Sequence, residues 1–166
     1  MRKAMACLST LALVWSSAPV GGQQPTTEER TTQLRGAYKT YSAERQARCQ
    51  DPELQAYFSR TTCSPFDFTP DQLADSSTVT EDQKVALQKN RDQYEDQKRK
   101  LIAAMRKYGG PKDAASASFW EQLDVSEDQN FLDLYSGKIT WGEYNRIRKG
   151  LAVRFRNEDA EIRNSK

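Results

Sequence analysis

The stretch from Phe131 to Phe155, FLDLYSGKITWGEYNRIRKGLAVRF, constrains this chain more than any other, because several local signals in it agree on one helical hairpin. Gly137 can take the left-handed conformation that closes a helix C-terminus at no Cβ cost. Thr140 is placed to cap the next helix, with Glu143 three residues on to reach back to the cap's own amide. Ile139 and Tyr144 occupy the flanking and fourth positions of a hydrophobic staple across that cap. The first helix is expected to open at Ser126, with Gln129 completing its capping box and Phe131, Leu132 and Tyr135 on its buried side. On the second helix Trp141, Tyr144, Ile147, Leu151, Phe155 and Ile162 fall on one arc, interrupted by Arg148 and Glu158. That arc, Trp141 to Phe155 with Arg148 at its edge, is either a packing face or an interaction face. The other sides of the helix carry Arg146, Lys149, Arg154, Arg156 and Arg163, so it is amphipathic and basic.

With Gly137, the Ile139-Thr140 pair and Glu143 in place, the hairpin resembles the bacterial short C-terminal domain (SHOCT) family. In that family a glycine, an Ile-Thr pair and an acidic residue join two small helices. The resemblance covers about 25 of the 166 residues. The same stretch is also similar to the second half of an EF-hand loop, through Gly137, Ile139, Glu143 and Tyr144. The leading ligand positions would then be Leu132, Leu134 and Ser136, and calcium requires six to eight oxygens, so Glu143 reads as a capping residue and no metal site is expected.

At the other end, Arg2 and Lys3 precede an apolar run from Met5 to Trp15 and small residues through Gly22, the three regions of a bacterial secretory signal. The run is shorter than the roughly 20 apolar residues that span a bilayer. Cleavage is expected near Gly22, leaving residues 23–166 as a single helical domain with no integral membrane segment. Cys7 is not a lipid-attachment site on this reading, because the apolar run follows it. A periplasmic or secreted location follows.

Without Arg2 and Lys3 the chain has 23 basic and 23 acidic residues, so no global field steers it to nucleic acid or to a membrane. The charges nevertheless come in blocks: +2 over residues 23–50, −6 over 51–82, +6 over 83–112, −6 over 113–137 and +4 over 138–166. Alternating blocks suit neighbouring helices that attract one another, or a basic face left open for an anionic partner. Cys49 and Cys63, an even pair in an exported chain, read as a disulfide that staples a turn-rich loop; a loop of about 15 residues gives roughly 3 kcal/mol in the chain-entropy model.

The rest of the chain is helical in pattern. Leu34, Ala37, Tyr38 and Tyr41 mark a helix over about Glu28 to Arg48, and Asp51-Pro52 begins a short one carrying Leu54, Tyr57 and Phe58. Thr69 and Pro70 start another turn within an irregular aromatic segment, Arg60 to Ser77. Thr80 and Gln83 open the longest helix, Glu81 to Tyr108, which Gly109, Gly110 and Pro111 stop. Along it Leu87, Tyr94, Leu101 and Tyr108 recur every seven residues while Arg91 and Lys98 fill the other register, so this helix is expected to dock by one narrow edge, with QKNRDQYEDQKRK as a wet surface. Ser118 and Glu121 read as one more capping box, beside Phe119, Trp120 and Leu123. The fold class is all-α: a small irregular helical bundle with one long helix, a C-terminal hairpin and one disulfide-stapled loop.

The sequence contains no histidine, no glycine-rich phosphate loop and no nucleophile-elbow serine, so the common metal, cofactor and general-base devices are missing. No catalytic or cofactor-binding residue is assigned. The expected function is a non-catalytic exported binding or adaptor protein of the bacterial envelope, meeting an envelope protein. Alternatives are an electrostatic binder of an anionic envelope polymer and a carboxylate-dependent cell-wall-active enzyme built on pairs such as Asp67 with Asp71 or Glu127 with Asp128.

Overall fold

The computed structural model describes residues 25–165, and the expected signal segment, with Arg2, Cys7 and Gly22, lies outside them. The described chain is all-helical, with six α-helices: α1 (Thr27–Cys49), α2 (Gln55–Phe58), α3 (Pro70–Ala74), α4 (Glu81–Tyr108), α5 (Pro111–Tyr135) and α6 (Trp141–Asn164), plus a 3-10 turn at Pro52–Leu54. Capping boxes open most of them. Thr26 with Glu29, Thr69 with Gln72, Thr80 with Gln83 and Thr140 with Glu143 each satisfy two backbone donors that a helix start leaves free.

The long helix starts and stops where Thr80 and Gly109 dictate. The hairpin turn closes as a Schellman motif: Gly137 has φ 74°, its N–H donates to Leu134 O at 2.9 Å, and Lys138 N–H donates to Asp133 O at 2.9 Å. The helix before it corrects the sequence reading. No break occurs at Ser118 or Ser126, because α5 runs unbroken from Pro111 to Tyr135. Its start is set instead by Pro111 in the first turn and by Asp113, whose carboxylate accepts from Gly110 N–H at 2.9 Å. Ser118 sits mid-helix and spends its hydroxyl on Ala114 O at 3.1 Å. The buried side is also narrower than expected: Phe131 is buried, while Leu132 and Tyr135, expected inside, are exposed.

Four long helices make the frame. α1 packs on α4, α4 on α5 and α5 on α6, whereas α1 and α6 form no packed pair. The chain therefore folds as an open row whose two end helices face each other across α4 and α5. Ion pairs between the blocks hold neighbours together: Arg91 with Asp128 and Arg106 with Glu121 join α4 to α5, and Lys89 ties α4 to Asp51 and Glu53. Attraction between adjacent helices thus accounts for much of the alternating charge.

The apolar core is split in two. One cluster holds Tyr57, Ala86, Leu87, Phe131, Leu134, Trp141 and Tyr144, with Ile139 packed against it. The other holds Leu101, Ile102, Met105 and Ala117, with Leu34, Ala37, Tyr41 and Trp120 alongside. Between them α4 buries Asn90, Gln97 and Lys98. The expectation of a wet helix docked by one edge is therefore wrong, because α4 is central and touches α1, α2 and α5.

The irregular segment 60–77 is fixed to the start of α6. Trp141 N–H donates to Ser77 O at 2.9 Å and Gly142 N–H to Asp75 O at 2.7 Å, so loop carbonyls satisfy two first-turn donors. Asn145, fully buried, donates to Arg60 O at 2.9 Å and Gln72 O at 2.8 Å. A Cβ on Gly142 would lie 2.7 Å from Leu73 O and 2.8 Å from Asp75 O, so only glycine permits this approach.

Candidate functional site

Because α1 and α6 are not packed along their length and meet where Tyr38 approaches Arg163, the polar belt between the two cores opens into a cleft of about 590 Å³. That volume lies in the range typical of small-molecule sites, roughly 300 to 1,000 Å³. All four long helices contribute: Tyr41, Arg45 and Arg48 from α1, Asn90, Arg91 and Tyr94 from α4, Trp120, Glu127 and Asn130 from α5, and Arg148, Leu151 and Phe155 from α6. The loop Cys63 to Phe66 forms one lip.

One wall is aromatic. Trp120 stacks on Phe155 with centroids 5.0 Å apart, and Tyr41 meets Trp120 edge-on at 5.8 Å. At the opposite end the hydroxyls of Tyr57 and Tyr144 are 3.1 Å apart. Burial pushes the pKa of Tyr144 and of Tyr94 well up, so both remain neutral phenols.

The base of the belt is an ion cluster. Lys98 is 1% exposed, and its ammonium donates to Glu95 at 2.8 Å, Asp124 at 2.6 Å and Glu127 at 3.1 Å. Burial alone would lower the Lys98 pKa, but the Glu127 charge and the hydrogen bonds to Asp124 and Glu95 outweigh it and raise the value. Burial raises Glu127 above the usual carboxylate range against the pull of Lys98, and Tyr94 donates to the same carboxylate at 3.3 Å. Three carboxylates converge here on an ammonium.

Arginines treat the cleft differently. Arg48, 9% exposed, donates to Asn90 Oδ1 at 2.8 Å and lies over the Tyr94 ring at 5.2 Å. Its Nε has no hydrogen-bond partner, and neither does Asn130 Oδ1. Arg148 donates to Thr61 Oγ1 at 2.6 Å and Thr62 O at 3.2 Å, with Tyr144 and Phe68 at its flanks. Among the described residues neither guanidinium forms an ion pair with a carboxylate. Burial lowers the Arg48 pKa, yet arginine starts so far above neutrality that the group stays charged.

The arc that the sequence drew on α6 divides among three environments. Trp141 and Tyr144 are core; Trp141 Nε1 donates to Gln83 Oε1 at 3.1 Å. Ile147 is 41% exposed and faces away. Arg148, Leu151 and Phe155 line the cleft. Cys49 and Cys63 sit at disulfide distance, Cα atoms 5.7 Å apart, at the lip. Of the carboxylate pairs, Asp67 and Asp71 are both exposed, and Glu127 turns to Lys98 while Asp128 pairs with Arg91.

Sequence reasoning missed Arg48, Tyr94 and Lys98 as site residues. A signal for Lys98 existed: it holds a core register position on α4, and the following block is acidic. Compared with protein-family models, curated proteins and solved structures, the chain matches none.

Proposed function

We propose that this chain is a non-catalytic binding protein of the bacterial envelope, exported by its N-terminal signal, and that its ligand sits in the cleft between α1 and α6. The observation that carries this reading is the cleft itself, where Arg48 and Arg148, neither paired with a carboxylate, and an aromatic wall face the same cavity. Burying such polar groups between two cores works against stability, and sequences tolerate that cost mostly at functional sites. The reading places recognition inside the bundle instead of on an exposed adaptor face.

The experiment is a titration with N-phenyl-1-naphthylamine, a neutral dye that brightens in apolar sites. Saturable binding of one dye per chain is expected. It should be lost in Ala152→Trp, which puts an indole into the cleft from α6, while the helical signal and melting temperature stay close to wild type. Unsaturable binding, or equal binding by the filled variant, contradicts the proposal. Export is checked separately by N-terminal sequencing of the periplasmic fraction, with a new terminus near Gln23 expected and an intact Met1 contrary.

A further inference from the structure

The two arginines say what kind of ligand the cleft prefers. Among the cations around it, Lys98 has three carboxylates, Arg91 has Asp128, and Arg163 has Asp159 at 2.8 Å and Asp113 at 3.5 Å, whereas the exposed Arg156 and the half-buried Arg45 have none. Acids are thus plentiful here, yet Arg48 and Arg148 are given only neutral partners: an amide, a hydroxyl, a carbonyl and ring faces. Neutral dipoles orient a guanidinium without cancelling its charge, and in a poorly solvated site that residual field is strong. Arg48 is nine-tenths buried and its Nε donor is unpartnered.

Resting on the cleft-binding reading above, we propose that the ligand is an amphiphilic anion. Its carboxylate, sulfonate or phosphate group is held between Arg48 and Arg148, and its aromatic or aliphatic body lies against Tyr41, Trp120 and Phe155. The guanidinium fork matches the geometry of such oxyanions, and the aromatic wall supplies the apolar surface that the body needs. The internal anions of the cleft are already engaged: Glu127 accepts from Lys98 at 3.1 Å and Tyr94 at 3.3 Å, Glu95 from Lys98 at 2.8 Å and Asp159 from Arg163 at 2.8 Å.

The test pairs two dyes that share one ring system. 8-Anilino-1-naphthalenesulfonate carries the anion, and N-phenyl-1-naphthylamine lacks it. On the wild-type protein the sulfonate should bind about tenfold more tightly, the size of one charge-assisted contact. Arg48→Gln and Arg148→Gln should each bring the two dyes toward parity, read as the ratio of the two affinities on the same variant, whereas Arg148→Lys should keep much of the preference. Equal affinities on the wild type, or a preference that survives both glutamine variants, overturns the anion assignment while leaving the cleft a binding site. If neither dye saturates, the binding reading falls with it. The wild-type comparison requires no variant to fold, and melting curves identify any variant whose loss is structural.

Discussion

At the level of single residues, Lys98 carries the largest electrostatic load. An ammonium with 1% exposure, bonded to three carboxylates, leaves three buried or half-buried negative charges uncompensated if it is removed. Lys98→Met should therefore cost about 3 kcal/mol or more in chemical denaturation, even though methionine fits the space. A loss under about 0.5 kcal/mol would mean that this belt is wetter than described. Glu143 gives a pH prediction of known sign. The Thr140 amide and hydroxyl, at 2.7 and 2.9 Å, hold its carboxyl below the usual value, as Lys89 does for Asp51 and Lys138 for Asp133. A depressed folded-state pKa gives stability that is complete above the unfolded value and declines as pH falls, so melting temperature should drop below about pH 4. Glu127, raised by burial, contributes the opposite slope, and Lys98, also raised, holds its contribution until the pH passes the ordinary lysine range. Glu143→Gln keeps a capping box and should flatten the acid limb; an unchanged limb would remove Glu143 from the explanation.

At the level of elements, α6 carries three environments, and truncations along it should separate them. Tyr144→Ala empties core volume and should cost about 3 to 5 kcal/mol, Leu151→Ala at the cleft wall should cost about 1, and Ile147→Ala at the exposed edge should stay within about 0.5. Equal costs for Tyr144 and Leu151 would mean that the cleft is packed shut. Gly142→Ala should cost about 1 to 3 kcal/mol, because the loop carbonyls of Leu73 and Asp75 leave no room for a methyl group. The same helix shows what the sequence could reveal. Thr140, Glu143 and Gly137 were legible because capping depends on neighbours three or four residues away, and so were both ends of α4. The serines of α5 misled for the same reason: Ser118 and Ser126 carry a cap's local pattern, but continuous packing on α4 and α6 keeps the helix intact. Charge at Arg91 and Lys98 suggested solvent, because in isolation it does. Apart from Glu95, three residues before Lys98, their compensating carboxylates lie 26 to 37 residues further along, a pairing that only the fold supplies.

At the level of the whole molecule, the open row of helices makes the cleft, and the Cys49–Cys63 pair controls its lip. The loop it anchors presents Thr61 and Thr62 to Arg148 and Cys63 O to Arg45 at 3.5 Å. Reduction, or Cys49→Ser with Cys63→Ser, should lower stability by about 3 kcal/mol and weaken dye binding as well. Stability lost with binding intact would confine the staple to folding. The cleft itself was not legible in the sequence: Tyr41, Arg48, Tyr94, Trp120 and Phe155 belong to four helices, and only the failure of α1 to pack on α6 brings them to one space. The most direct measurement of that claim uses the indole N–H resonances of Trp120 and Trp141 while 8-anilino-1-naphthalenesulfonate is added to saturation. Trp120 lines the cleft, and Trp141 is fully buried with its N–H bound to Gln83. The Trp120 resonance should shift progressively to a plateau at one dye per chain while Trp141 stays nearly still. A plateau reached with Trp120 unmoved would contradict the cleft as the site of binding.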